Sequence, residues 1–301
     1  MKRIGFIDWY LDEWLANNLP AWICDSARNT APDGSKRFEI TMAYAAVDNP
    51  GGLSTDDWCA KFGIARAATI EALVAGCDCV VVLSPDHPEK HEALAAVALA
   101  SGKPVYIDKT FAPDKDAAIR MFERAKACGT PMYSTSALRY AQECRSVREA
   151  GLGPDEVSLV STRGPGVIDN YGIHQVEMIQ TLMGTGTRRV LMQGPAETPT
   201  FLFQKEGGRT AVVQHLPWAG FSVLVHGQPG NAGGMSADAA KEPVGLAFDV
   251  VKDFWGPFAD ELLRFFDTGV ATVPEAETIE AVAMIEAGAK AARQPGVWIN
   301  L

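Results

Sequence analysis

Lys109 is the residue of this chain best placed for proton chemistry. It follows a short apolar run at residues 104–107 and begins a polar loop. If that run is a buried strand of an open α/β sheet, Lys109 lies at its carboxyl end, the edge where such sheets bind ligands. His174 is the second candidate, because an imidazole with an ordinary pKa near ~6.5 suits a general base. A lysine and a histidine can together hold a hydroxyl group and remove its proton.

Both residues also have a purely structural interpretation. A lysine at the start of a loop is often only exposed. A histidine beside an apolar helix face, here formed by Val176 and Ile179, is often a core residue. We favour the catalytic interpretation of Lys109 because of its expected place at the edge of the sheet.

Short apolar segments alternate with helical patterns in the first half of the chain. The apolar segments predict strands at residues 4–7, 38–46, 79–83, 105–107 and 132–135. Helices are predicted between them, and Gly129 has the place of a left-handed cap that ends the helix at residues 114–128. Apolar strands separated by helices are typical of a parallel sheet covered on both faces. This pattern predicts an α/β domain over residues 1–136, with a Rossmann-like, doubly wound parallel sheet.

The second half has a different pattern. A segment at residues 156–162 comes first, and alternating segments then predict strands near residues 190–193, 200–204, 210–216 and 221–225. Helices are predicted at residues 142–150, 175–183, 257–266 and 275–292, and a loop at residues 227–243. Alternation suits an antiparallel sheet with one side facing solvent. We therefore expect an α+β domain over residues 137–301 with a largely antiparallel open sheet, although its C-terminal helices could pack back on the first domain.

Two blocks of residues follow a characteristic order along the chain. In sequence they are Ser84-Pro85, His91, Gly102-Lys103, Asp108-Lys109-Thr110 and, later, Asn170-x-Gly172-x-His174. This order resembles the family of glucose-fructose oxidoreductases, inositol dehydrogenases and MocA proteins. That family has Thr/Ser-Pro, His, Gly-Lys and Glu-Lys-Pro, followed by Asp-x-Gly-x-His. The resemblance implies an NAD(P)-dependent oxidoreductase that acts on a secondary alcohol of a sugar, cyclitol or related polyol.

The resemblance also implies roles for the matched residues. Lys109 would reach the substrate hydroxyl and the nicotinamide region, and His174 would act as the base. Asn170 has the position of the family's Asp, so it can hold a hydroxyl but cannot tune His174 by charge. His91 is expected to pack or cap its helix. Thr110 replaces the family's Pro, so an X-Pro cis bond cannot be assumed there.

Further residues are expected near the ligands. The cofactor-binding candidates are Asp8, Trp9, Tyr10, Asp48, Ser84, Pro85 and Asp108. The substrate-binding candidates are Arg139, Tyr140, Asp169 and Glu177. Arg139 follows the fifth predicted strand and could bind a carboxylate or a sugar oxygen, with a surface ion pair as the alternative. Asp169 or Glu177 could supply the carboxylate that Asn170 lacks.

The greatest departure from the family is the missing glycine loop. A Rossmann dinucleotide site has Gly-x-Gly-x-x-Gly after its first strand, so that backbone N–H groups approach the pyrophosphate at a helix N-terminus. Here Gly5 lies within the strand, and Asp8, Asp12 and Glu13 follow it. These carboxylates disfavour pyrophosphate. Alternatively, Asp12 and Glu13 cap the helix, while Trp14 and Leu15 pack in the core.

Composition limits the other possibilities. The net charge is −10 and no basic cluster occurs, which argues against nucleic acid and anionic membranes as partners. No apolar run approaches the ~18 residues of a membrane span, so we expect a cytoplasmic protein. Cys77 and Cys79 lack the second pair that a zinc site needs, and Cys79 begins an apolar strand. We therefore expect no metal, a small-molecule substrate and, by resemblance, a homo-oligomer formed through the C-terminal sheet.

Two other functions are compatible with this sequence. One is a non-redox lyase or isomerase of the same fold that has lost ordinary dinucleotide binding, with Lys109, His174 and Asp8 as acid and base. The other is a non-catalytic protein that binds a small ligand or a partner. The Lys109 and His174 pair argues against the second, because binding alone does not require a base.

Overall fold

The computed structural model describes residues 1–230, 242–249 and 251–301. The loop predicted for residues 227–243 lies largely outside these described residues. Within them, no helix is both long enough and apolar enough to cross a membrane.

The described residues form two compact units. The first contains Met1–Thr135 and Trp255–Glu275, and the second contains Ser136–Phe254 and Ala276–Leu301. The segment Trp255–Glu275 therefore belongs to the first unit although it follows most of the second along the chain.

A parallel sheet forms the centre of the first unit. Its strands are β1 (Lys2–Asp8), β2 (Phe38–Ala45), β3 (Ala65–Arg66), β4 (Cys79–Val82), β5 (Val105–Ile107) and β6 (Met132–Tyr133). Their order is β3-β2-β1-β4-β5-β6, and every pair is parallel. The order reverses between β1 and β4, which is the switch point of a doubly wound sheet. The predicted fold of this half is confirmed.

Nine α-helices occur in the described part of the chain. They are α1 (Trp14–Asp25), α2 (Thr55–Phe62), α3 (Ile70–Gly76), α4 (Pro88–Leu99), α5 (Lys115–Ala127), α6 (Gln142–Glu149), α7 (Gly172–Met183), α8 (Trp255–Thr268) and α9 (Glu275–Ala292). In α1 the residues Leu15, Leu19 and Ile23 recur every fourth position and are buried, as one apolar helix face requires. Gly129 has φ +63° just after α5, which confirms the predicted left-handed cap.

The second unit is built on a mixed sheet. Its strands are β7 (Val157–Gly164), β8 (Thr187–Gln193), β9 (Thr200–Lys205), β10 (Thr210–His215), β11 (Ser222–Gly227), β12 (Val244–Phe248) and β13 (Trp298–Asn300). The order is β12-β11-β7-β10-β9-β8-β13. The β7–β10 pair is parallel, and the other neighbouring strands are antiparallel. Helix α7 packs on one face, and all of its residues are buried. The predicted, largely antiparallel sheet is confirmed.

Candidate functional site

The carboxyl edge of the first sheet carries buried polar side chains. Asp8 is the last residue of β1, Ser84 comes two residues after β4, and Asp108 directly follows β5. Parallel strands that are neighbours bring such residues to one edge. All three side chains are almost completely buried, with 1% or 2% exposure. Polar groups buried at this edge are candidates for ligand contacts.

Asp8 and Asp108 each keep one carboxylate oxygen unsatisfied. Oδ1 of Asp8 accepts the Trp9 backbone N–H at 2.6 Å, and Oδ1 of Asp108 accepts the Tyr106 hydroxyl at 3.1 Å. The Oδ2 atoms have no hydrogen-bond partner among the described residues. Burial raises the pKa of Asp108 to about 6 and raises the pKa of Asp8 well above its ordinary value. Each of these carboxyl groups can accept a hydrogen bond from a ligand when it is ionised and donate one when it is protonated.

Glu13 caps helix α1. Its carboxylate accepts the backbone N–H of Leu15 at 2.7 Å and that of Ala16. Burial raises the pKa of Glu13 to about 7, although the two backbone hydrogen bonds act in the opposite direction. The predicted capping role of Glu13 is confirmed. For Asp12 that prediction is wrong, because its carboxylate accepts the Leu53 backbone N–H at 2.7 Å and the Asn17 side-chain amide at 2.9 Å instead.

Asp8, Glu13 and Asp108 form one interacting group, here called the carboxylate cluster. After burial, the charge of Glu13 is the next cause that raises the pKa of Asp8, and Asp108 raises it further. Asp108 also raises the pKa of Glu13. Lys109 is the cation that acts against these shifts at both Glu13 and Asp108. The cluster therefore holds more negative than positive charge when fully ionised.

Lys109 lies at the predicted strand end and is half-buried. Its Nζ donates to the Pro85 carbonyl oxygen at 3.3 Å. The Lys109–Thr110 peptide bond is cis although residue 110 is not proline. His91 is completely buried, and its Nδ1 lies 3.0 Å from the Phe111 carbonyl oxygen. The expected packing role of His91 is confirmed.

The other cofactor candidates of the first unit lie in the loops around this edge. The Lys90 Nζ lies 4.7 Å from the centre of the Trp9 ring, and Tyr10 makes an edge contact with His87 at 5.8 Å between ring centroids. Asp48 accepts both the backbone N–H and the hydroxyl of Thr55, each at 2.7 Å, and so fixes the start of α2.

The prediction that Trp14 packs in the core is wrong. Its side chain is 57% exposed and lies against Trp22 and Trp255, with ring centroids at 5.5 and 4.9 Å. Leu15, the next residue, is buried as predicted. The difference follows from the helix geometry, because successive residues point in different directions and only one of them faces the sheet.

His174 lies in the first turn of α7 in the second unit. It is 7% exposed, and its Nδ1 is 2.7 Å from the Ser136 hydroxyl. The rings of Tyr171 and Phe221 contact it edge-on at 5.3 and 5.6 Å between centroids. Ser136 was not among the predicted site residues, although it directly follows the fifth predicted strand. Of the nearby candidates, Asn170 and Tyr140 are half-buried and Asp169 is exposed.

Arg139 forms a buried double ion pair. Its Nε donates to Glu177 at 2.8 Å and its Nη1 donates to Glu277 at 2.6 Å. The Arg139 side chain is only 9% exposed, so the alternative of a surface ion pair is wrong. Burial lowers the pKa of Arg139, but the charges of Glu177 and Glu277 outweigh this and raise it above its ordinary value. Nη2 of Arg139 has no partner among the described residues and is the part of this side chain left for a ligand.

The N-terminus of α1 does not fit an ionised pyrophosphate as it stands. The N–H groups of Leu15 and Ala16, which such a ligand would need, are already bound by the Glu13 carboxylate. Gly5 does not supply a phosphate loop either, because it lies inside β1 and a Cβ there would clash with the Leu73 side chain. The first unit therefore has the sheet of a dinucleotide-binding domain with an altered phosphate position.

The protein family whose model matches this chain has the same kind of fold as the first unit. Residues 26–135 match the model of the glucose-fructose oxidoreductase, inositol dehydrogenase and MocA family, described as an oxidoreductase family with an NAD-binding Rossmann fold. The resemblance inferred from the sequence is thereby confirmed. The match begins after α1, so it leaves out the segment with the altered phosphate position. No protein among the curated sequences matches the chain.

Solved structures of dehydrogenases share the whole fold. An oxidoreductase from Agrobacterium radiobacter, in complex with NAD+, L-tartaric acid and magnesium, is 15% identical, with a TM-score of 0.71 over 99% of this chain and 98% of its own. The WlbA dehydrogenase from Bordetella pertussis, in complex with NADH and UDP-GlcNAcA, is 14% identical, with a TM-score of 0.71 over the same shares. The UDP-N-acetylglucosamine 3-dehydrogenase GnnA from Acidithiobacillus ferrooxidans is also 14% identical, with a TM-score of 0.71 over 97% of this chain and 98% of its own. At these identities the likeness establishes the fold.

Proposed function

We propose that this chain is an NAD(P)-dependent oxidoreductase that acts on a secondary alcohol of a sugar, cyclitol or related polyol. The observation that carries the proposal is the position of Lys109. It lies inside the segment that matches an NAD-binding oxidoreductase family, at the ligand-binding edge of β5. Two structural neighbours support a sugar-related substrate. WlbA was solved with the nucleotide sugar UDP-GlcNAcA, and GnnA is named as a dehydrogenase of UDP-N-acetylglucosamine.

Lys109 is suited to hold a hydroxyl oxygen. Its present contact, the 3.3 Å hydrogen bond to the Pro85 carbonyl, is long and uses one of the three ammonium protons. A substrate hydroxyl can take another of these protons, and the positive charge stabilises the oxygen as its own proton leaves. The buried Oδ2 atoms of Asp8 and Asp108 are acceptors of the kind that further hydroxyl groups need.

His174 is the proposed general base of the second unit. The Ser136 hydroxyl fixes the ring through Nδ1 at 2.7 Å, and the Tyr171 and Phe221 rings limit its rotation. A base held in one orientation is what proton abstraction requires. Asn170 is proposed to hold the substrate, since an amide cannot remove a proton at neutral pH.

Turnover by matched variants tests this assignment. Purified protein is given NAD+ or NADP+ and a panel of polyols, and formation of reduced nicotinamide is followed by absorbance. We expect Lys109→Ala and His174→Ala each to lose at least about 100-fold in kcat/KM, the usual contribution of an acid–base group. Lys115→Ala, which removes an exposed lysine at the start of α5, is the control and should keep wild-type turnover. Wild-type turnover in both site variants, with unchanged unfolding temperatures, would disprove the assignment.

The carboxylate cluster favours a second candidate, a non-redox lyase or isomerase of the same fold. Burial brings the pKa of Glu13 to about 7 and that of Asp108 to about 6, values suited to a group that exchanges protons near neutral pH. Such an enzyme would move substrate protons without nicotinamide. Incorporation of deuterium from heavy water into a polyol or keto-sugar, measured by NMR with no dinucleotide present, would favour it over the oxidoreductase.

The second sheet is proposed to pair two copies of the chain. Its buried face packs on α7, while alternate residues of β9 and β10 on the other face are only half-buried. Leu224 of β11 is 43% exposed on this unit. This outer face mixes apolar side chains such as Leu202 and Val212 with Thr and Gln side chains, a composition compatible with an interface between subunits. Light scattering after size-exclusion chromatography should give twice the monomer mass or more, and Leu224→Lys should lower it.

A further inference from the structure

The Glu13 carboxylate occupies the place of an anionic ligand. In dinucleotide-binding folds the N–H groups in the first turn of the helix after β1 bind the pyrophosphate. Here the same helix, α1, is 12 residues long, and Glu13 accepts the N–H groups of both Leu15 and Ala16. A carboxylate and a phosphate oxygen compete for the same donors.

We propose that Glu13 is an internal competitor for the dinucleotide pyrophosphate. NAD(P) then binds to the first unit only when the Glu13 carboxylate no longer binds the Leu15 and Ala16 amides at the N-terminus of α1. This inference rests on the proposed function, because it concerns the cofactor of that reaction. It assigns to Glu13, the residue that caps α1, a control over cofactor affinity, since among the described residues its side chain binds the amides of both Leu15 and Ala16.

Besides capping α1, the Glu13 carboxylate interacts electrostatically with three charged side chains. Asp8 reaches it from the end of β1, and Asp108 and Lys109 reach it from the end of β5. Burial raises the pKa of Tyr10, in the loop between β1 and α1, and the charges of Asp86, Asp8 and Glu13 raise it further. With two carboxylates against one ammonium group, a doubly negative pyrophosphate would enter a site that is already negative.

Protonation offers a way to release this competitor. Burial raises the pKa of Glu13 to about 7 from its ordinary 4.5. A protonated Glu13 has lost its negative charge and is a weaker acceptor for the Leu15 and Ala16 amides. Dinucleotide affinity should therefore rise as the pH falls through about 7. Asp108, with a pKa of about 6, adds to this rise at lower pH, so the Glu13 contribution is the part that Glu13 variants remove.

Titration with NADH tests the inference directly. Energy transfer from tryptophan to reduced nicotinamide reports binding, and Trp9 and Trp14 flank the site in sequence. We expect wild-type protein to bind NADH about 10-fold more tightly near pH 6 than near pH 8.5, since the site loses at least one negative charge. Near pH 8.5, Glu13→Gln should bind about 10-fold more tightly than wild type, and Glu13→Ala more tightly still, because alanine leaves both amides open. In both variants the change in affinity between pH 6 and pH 8.5 should be smaller than in wild type, because Asp8 and Asp108 still titrate and only the contribution of Glu13 is lost.

The control is Glu71→Gln. Glu71 is an exposed acid in the first turn of α3, where Thr69 is the cap, so its substitution removes the same charge near a helix N-terminus of the same unit without removing a cap. It should bind NADH as wild type does at both pH values. Unfolding temperatures are measured alongside, because Glu13→Ala also removes a helix cap that contributes about 1 kcal/mol.

The outcomes separate this inference from the proposed function. Equal, pH-independent NADH affinities in wild type and both Glu13 variants would overturn the inference and leave the proposed cofactor in place. Tighter binding by the variants without polyol turnover by any of them would support the inference and contradict the proposed function. If Glu13→Ala is folded and fails to bind NADH at either pH, both are overturned.

Discussion

The two units of this protein bury charged side chains in opposite ways. In the second unit, buried Arg139 lies between Glu177 and Glu277, and fully buried Lys205 donates to Glu280 and to two neutral oxygens. In the first unit, the three acids of the carboxylate cluster face a single lysine, Lys109. In the second unit each of these acids forms an ion pair with a cation, whereas no such ion pair involves the carboxylate cluster in the described part of the chain.

This difference separates structural from functional charge. A buried ion pair with good geometry is compatible with a stable fold, and its loss is costly because one charge is left alone. Buried acids without enough cations raise the free energy of the fold, and their pKa values rise in response. Such groups persist where a ligand or a reaction uses them. The edge of the first sheet is therefore the stronger functional candidate, and the ion pairs of the second unit are the stronger stabilising elements.

Removing Arg139 should have the largest effect. Arg139→Met leaves Glu177 and Glu277 buried together without a cation, and we expect a loss of about 3–5 kcal/mol in the free energy of unfolding. Urea unfolding at neutral pH measures this loss. Arg145→Met, which replaces an exposed arginine on α6, is the control and should change stability by less than about 0.5 kcal/mol. A loss below about 1 kcal/mol for Arg139→Met would contradict the structural role.

Removing Lys205 should cost less. Its partner Glu280 is 16% exposed and keeps hydrogen bonds from the Gly186 and Thr187 backbone amides, so it is not left isolated. We expect Lys205→Met to lower the free energy of unfolding by about 1–3 kcal/mol. Lys290→Met, on the exposed end of α9, provides the matched control. A larger loss than that of Arg139→Met would reverse the ranking of the two ion pairs.

In the first unit, replacing a buried acid by a neutral side chain should stabilise the fold at neutral pH instead of destabilising it. The pKa of Asp108 is about 6 in the fold against an ordinary 3.8, so the folded state holds this proton more tightly. The stabilisation is complete below the ordinary value and is lost as the pH rises through about 6. Asp108→Asn keeps an acceptor for the Tyr106 hydroxyl and never ionises. At neutral pH it should be more stable than wild type, by on the order of 1–3 kcal/mol, and the difference should vanish near pH 4. A variant that is less stable at neutral pH would contradict this.

Much of the fold was predictable because hydrophobic periodicity depends on local sequence. The apolar runs at β1, β4 and β5 and the apolar face of α5 mark buried elements directly. Strand β3 was missed, because it has two residues and both are exposed. So short a strand has no period that sequence can show.

The site was predictable only where a single residue carries the signal. Lys109 and Asp108 are found at a strand end because the strand itself is visible in the sequence. Partners that meet only through tertiary packing were missed. Ser136 contacts His174 across 38 positions, and Arg139 contacts Glu277 across 138. The same limit explains why Asp12 was grouped with Asp8 and Glu13 although the third member of the cluster is Asp108.

Asp12 gives the smallest and most discriminating prediction, because it is the neighbour of Glu13 and has the opposite behaviour. Hydrogen bonds from the Leu53 N–H and the Asn17 amide lower the pKa of Asp12 below its ordinary 3.8. Its stabilisation is present above that value and is lost as the pH falls through the lower pKa of the fold. Asp12→Asn should therefore be less stable than wild type at neutral pH, by no more than about 1 kcal/mol because the group is close to solvent, and the difference should shrink as the pH falls below 3.8. Glu13→Gln, one residue later, should gain stability relative to wild type as the pH rises from the ordinary 4.5 through about 7. If Asp12→Asn and Glu13→Gln had the same pH profile of stability, burial would not distinguish these adjacent acids. The difference in charge burial on which the comparison of the two units depends would then not hold within the first unit.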